Sequence, residues 1–115
     1  MAEPTVYFNP RCSKCRTAQA ILAERGVAAT FVRYLDLPPT IEELRGLMNL
    51  LGIDDPRAMM RTGEAVYKQL GLGKASPDEL LAAMTANPIL LERPIVVVGD
   101  RAVIARPPER LLEIL

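Results

Sequence analysis

Along the chain, short apolar runs closed by turn-forming residues alternate with stretches whose apolar positions recur at helical spacing. Thr5-Val6-Tyr7-Phe8 is β-rich and is stopped by Asn9-Pro10, which predicts a first strand feeding a turn. From Ser13 to Arg25 the apolar residues Ala18, Ile21 and Leu22 share one helical face, and Gly26 supplies the stop. Thr30 to Leu35 is again β-like and ends at Asp36-Leu37-Pro38-Pro39, where the proline pair bars continuation of a central strand. Together these elements make a βαβ unit.

The pattern then turns helical. Thr40 and Glu43 have capping-box spacing, and Ile41, Leu44, Leu47, Met48 and Leu51 form a stripe that ends at Gly52. Short helical pieces are expected over Pro56 to Met60 and Glu64 to Leu70, with Gly71-Leu72-Gly73 as a helix stop. Ser76-Pro77-Asp78-Glu79 repeats the start signal, leading into Leu80 to Met84. Beyond Pro88, Ile95 to Val98, a turn at Gly99-Asp100 and Ala102 to Ala105 read as a β-hairpin, and Pro107-Pro108-Glu109 opens a terminal helix carrying Leu111, Leu112 and Leu115. The order predicts an α/β protein with a four-stranded mixed sheet and a helical insertion between βαβ and ββα halves, which is thioredoxin-like topology.

With 115 residues, half of them hydrophobic, the chain is expected to fold as one domain spanning 1–115, the helical insertion occupying about 40–88. Lys+Arg and Asp+Glu balance at 14 each, so there is no global basic field for a nucleic acid or an anionic membrane, and any anion site must be local. Met1 to Thr5 lacks a basic stretch followed by an apolar run, and no uninterrupted apolar segment reaches the about 18 residues that span a bilayer. A soluble, cytoplasmic monomer is the expectation. Histidine is absent and the only cysteines are Cys12 and Cys15, which cannot staple distant parts of the chain and are too few for a structural zinc, which needs four ligands. No metal is expected.

Cys12-Ser13-Lys14-Cys15 sits after a strand and at the opening of a helix, where unpaired N–H groups and the positive end of the helix dipole favour a thiolate. Cys12 should be the more acidic of the two, with Arg11, Lys14 and Arg16 adding positive charge around it. The plainer reading is a pair of buried structural thiols. Arg61, Arg93 and Arg106 each fall at a break in regular structure, and Arg93-Pro94 and Arg106-Pro107 flank the hairpin so that both guanidiniums could face one sheet end. Such forks suit a tetrahedral oxyanion, although a lone arginine is more commonly a solvated charge. Met59-Met60 and the leucine stripes read as core, and Glu42-Glu43 as capping and solvated charge.

The run Tyr7-Phe8-Asn9-Pro10-Arg11-Cys12-Ser13-Lys14-Cys15-Arg16 resembles the active-site segment of the glutaredoxin-linked arsenate reductases. Tyr34-Leu35 to Pro38-Pro39-Thr40, Arg61 with Tyr67 to Leu72, Asn87-Pro88-Ile89-Leu90, Arg93-Pro94-Ile95-Val96-Val97 and Arg106-Pro107 to Leu115 resemble that family in the same order, over nearly the whole chain. The resemblance implies that Cys12 attacks arsenate, that Arg61, Arg93 and Arg106 hold the oxyanion and lower the Cys12 pKa, and that Arg93-Pro94 is a cis bond. It further implies glutathione as co-substrate and glutaredoxin as protein partner, with no bound cofactor. Phe8 stands where some members carry a histidine, and Cys15 where many carry serine. A thiol at Cys15 could resolve an intermediate as an internal disulfide, in which case thioredoxin replaces glutaredoxin. The alternatives are an Spx-like redox-sensing transcriptional regulator that binds RNA polymerase, against which Arg106-Pro107 argues, and a general thiol-disulfide reductase.

Overall fold

The structure is a computed structural model that describes residues 3–115. Met1 and Ala2, the start of the segment read above as lacking a leader, lie outside the described residues. The chain divides into two compact units: one runs up to Leu37 and resumes at Arg93–Leu115, and the other is Pro38–Glu92.

The first unit is built on a sheet of β1 (Thr5–Phe8), β2 (Thr30–Arg33), β3 (Ile95–Val98) and β4 (Arg101–Ile104), in the order β2-β1-β3-β4. Strand β1 runs parallel to β2, from Thr5 opposite Thr30 to Phe8 opposite Arg33, and antiparallel to β3, with Tyr7 opposite Ile95. Ile95 in turn lies opposite Ile104 of β4. This register places the ends of β1, β2 and β4 and the start of β3 at the same end of the sheet.

Helix α1 (Ser13–Glu24) is the crossover that the parallel β1–β2 pair requires. Its buried positions Cys15, Ala18 and Leu22 join Val6, Phe8, Val96, Val103 and Leu111 in one core, and the Phe8 and Phe31 rings meet edge-on at 5.1 Å. Gly26 ends α1 at φ +66°, a conformation that glycine enters without a Cβ clash, and the following Val27 N–H donates back to the Leu22 carbonyl at 2.9 Å.

The helical unit holds α2 (Ile41–Leu51), α3 (Ala65–Gln69) and α4 (Pro77–Ala86), joined by 3-10 turns over Pro56–Met59, Leu72–Lys74 and Pro88–Leu90. Both expected capping boxes are present: Thr40 with Glu43 opens α2, and Ser76 with Glu79 opens α4. Leu44 and Leu47 of α2 and Leu80, Leu81 and Met84 of α4 are buried, as are Met59, Met60, Leu90 and Leu91. The segments bearing the last four pair as a short bridge, with Arg61 N–H donating to the Leu90 carbonyl at 2.7 Å and Glu92 N–H to the Met59 carbonyl at 2.8 Å.

Local departures from the sequence expectation have local causes. Strand β2 ends at Arg33 rather than Leu35 because the Asp36 and Leu37 N–H groups turn back to the Arg33 carbonyl, at 2.9 and 3.0 Å. Strand β4 begins at Arg101, one residue before the expected start, because Gly99 at φ +60° closes a two-residue turn that sets Val98 opposite Arg101. The closing helix is a 3-10 segment, Pro108–Glu113, anchored by the buried Leu111.

Candidate active site

The turn after β1 is organised by Asn9. Its side-chain oxygen accepts from the Arg11 N–H at 3.0 Å and its carbonyl from the Cys12 N–H at 2.9 Å. The chain is thereby wound so that Cys12 becomes the N-cap of α1, with extended backbone angles and no side-chain capping bond. The sulfur therefore sits at the end of α1 where backbone donors lack intrahelical partners. Burial pushes the Cys12 thiol up, but the N–H groups of Cys15 and Lys14, the Arg93 guanidinium and the Cys15 thiol outweigh it and bring it from 9.0 down to about 7. Thiolate is thus abundant at neutral pH.

Cys15 behaves oppositely. It is fully buried in the core, its sulfur accepts from the Asn9 N–H at 3.4 Å, and burial together with the neighbouring Cys12 raises it to about 11. One of the expected thiols is therefore acidic and half-exposed, while the other is a protonated core residue. Of the groups expected to tune Cys12, the helix N–H groups and Arg93 act on the sulfur, whereas Arg11, Lys14 and Arg16 are exposed.

Arg93 reaches the site because it precedes β3, at the sheet end where β1 delivers the cysteine turn. The Arg93–Pro94 bond is cis, as the resemblance implied, and Arg106–Pro107 is cis as well. Arg106 follows β4 at the same sheet end, and its Nη1 donates to the Arg93 carbonyl at 2.7 Å. The two arginines are thus brought together, one fixing the backbone of the other. The Arg93 guanidinium lies against the Cys12 thiol and the Tyr34 hydroxyl closely enough to influence both, yet its Nε and Nη1, buried like that hydroxyl, form no hydrogen bond of standard geometry.

Arg61 lies in the helical unit, where it pairs with Glu64 at 2.9 Å and Glu92 at 3.4 Å. Tyr34 was not singled out from the sequence as a site residue, although Tyr34-Leu35 belongs to the run that carried the family resemblance. The missing physical signal is its burial, which no local pattern announces.

A cysteine at the N-cap position of the helix that follows β1, in a β2-β1-β3-β4 sheet whose third strand follows a cis proline, defines a thioredoxin-like thiol protein. Residues 7–114 match the profile of the ArsC family, and the chain belongs to that family. An arsenate reductase of Neisseria meningitidis serogroup A is 45% identical over the full length of both chains. An arsenate reductase of Haemophilus influenzae is 45% identical over 96% of this chain and 97% of its own. The solved structure of an arsenate reductase from Vibrio cholerae superposes with a TM-score of 0.96 at 46% identity, covering 99% of this chain and 98% of that one.

Proposed function

We propose that this chain is a thiol-dependent arsenate reductase in which the Cys12 thiolate attacks arsenic(V). The observation that carries this reading is the placement of the Cys12 sulfur at a helix N-terminus beside the Arg93 guanidinium, whose buried Nε and Nη1 are unpartnered, a setting that lowers the thiol to about 7. Helix N–H groups and Arg93 would neutralise the bound anion, and Arg106 would hold Arg93 through its carbonyl. Arg61 joins them as a third oxyanion ligand on the resemblance alone. The names of the relatives support arsenate as the substrate.

The thiolate displaces one arsenate oxygen as water and forms a sulfur–arsenic bond. Reduction of arsenic(V) to arsenic(III) takes two electrons, supplied by two thiols that leave as one disulfide. On the favoured route those thiols come from glutathione and glutaredoxin, in a reducing cytoplasm, and water then cleaves the sulfur–arsenic bond, releasing arsenite and restoring the Cys12 thiol. A second route, favoured by the thiol at Cys15, closes a Cys12–Cys15 disulfide and draws on thioredoxin. The buried, protonated state of Cys15 supports the first, because a thiol held at about 11 is a poor attacking group at neutral pH.

The test is NADPH consumption driven by arsenate, with the glutathione/glutaredoxin and thioredoxin systems supplied separately. Turnover that is lost in Cys12→Ser and retained in Cys15→Ser with glutathione and glutaredoxin supports the first route. Turnover abolished by Cys15→Ser moves the assignment to the disulfide route, and no turnover from folded wild-type protein in either system removes arsenate reduction altogether.

A further inference from the structure

Tyr34 ranks among the largest fully buried side chains, and its hydroxyl has no hydrogen-bond partner. An unpaired buried hydroxyl costs stability, and a phenylalanine ring would fill the same space without that cost. Packing therefore does not account for the oxygen. Its setting does: Tyr34 follows β2 at the sheet end that holds the cysteine turn, with the Arg93 guanidinium against it and Cys12 and Cys15 near enough to influence it.

Donor bookkeeping at Arg93 supplies the second half of the argument. A guanidinium carries five N–H donors, and a bidentate oxyanion takes two of them. The Nε and Nη1 donors of Arg93 are buried and unpartnered, and the carbonyl of Arg93 is already occupied by Arg106. The unpartnered oxygen of Tyr34 is the acceptor beside them. We propose that Tyr34 is a positioning residue for Arg93, its phenolic oxygen bracing one edge of the guanidinium while the other edge engages an oxyanion held at Cys12. Burial keeps the phenol neutral, pushed up to about 12, so the brace persists throughout the working pH range.

The inference rests on the oxyanion site of the proposed function, but one of its readouts needs no arsenate. Tyr34→Phe is expected to raise the pH midpoint of Cys12 alkylation by about half a unit, because a loosened Arg93 stabilises the thiolate less. It is also expected to lower kcat/KM for arsenate about tenfold, as befits a bond to a charged group. Tm should change little, since the ring keeps its packing and only one exchange of polar contact at the guanidinium edge is lost. In an Arg93→Gln background, Tyr34→Phe should change the alkylation midpoint no further. An unchanged midpoint, equal shifts in both backgrounds, or a drop in Tm that parallels the loss of activity overturns the proposal. If wild-type protein does not turn over arsenate, the functional reading fails while the alkylation cycle still decides the link between Tyr34 and Arg93.

Discussion

Two cysteines one helical turn apart differ in ionisation because one caps the helix and the other faces its core. Cys12 faces the free N–H groups of α1 and Arg93, whereas Cys15 is wholly buried among Val6, Phe8, Ala18 and Leu22. The nucleophile was legible in the sequence from its position between a strand and a helix. Its helix N–H partners were legible from that same position, and Arg93 only through the family resemblance, because Arg93 arrives through strand pairing while the sequence neighbours Lys14 and Arg16 point to solvent. Lys14→Ala and Arg16→Ala should therefore leave Cys12 ionising near 7, and Arg93→Ala should move it back toward 9.0. The sign follows from charge: removing a cation destabilises the thiolate, so a higher pH is needed to form it. Thiolate ultraviolet absorbance, titrated as a difference against Cys12→Ser, measures the shift, and equal shifts for Lys14→Ala and Arg93→Ala would contradict this account.

At the scale of elements, features set by a few consecutive residues are legible in the sequence, and those that depend on a partner strand are not. Both capping boxes could be seen in the sequence because Thr40 with Glu43 and Ser76 with Glu79 carry their own geometry. The true ends of β2 and β4 could not, since pairing with β1 and β3 and the turn at Gly99 decide them. Thr40→Ala and Ser76→Ala each remove a bond to an otherwise unpaired helix N–H and should each cost about 1 kcal/mol in urea denaturation. A loss well under that from both would mean that α2 and α4 are held by their buried leucines alone.

Across the whole molecule, the sheet order, the crossover and the helical interruption of the chain agree with the thioredoxin-like topology expected from the order of elements. That order is legible because each strand is short, apolar and closed by proline or glycine. The placement of the arginines was less so: Arg93 and Arg106 share a sheet end through the hairpin, which meets the cysteine turn by a pairing of β3 with β1 that no local pattern announces, and Arg61 carries carboxylate partners of its own within the helical unit. The 3-10 segment after β4 contributes Leu111 to the core beneath α1, so Leu111→Ala should cost about 2–5 kcal/mol by chemical denaturation, the range for emptying a packed leucine site. A loss near zero would show that this terminal segment is not needed to close the sheet unit.

The central claim is that arsenate binds at an ionised Cys12. Its most direct measurement is the rate of Cys12 alkylation by iodoacetamide across pH, with and without arsenate, followed by mass spectrometry at that residue. The account predicts a midpoint near 7 and marked slowing by arsenate, with Cys15 left unmodified in the folded protein. A midpoint near the ordinary thiol value of 9.0, with no protection by arsenate, would contradict it.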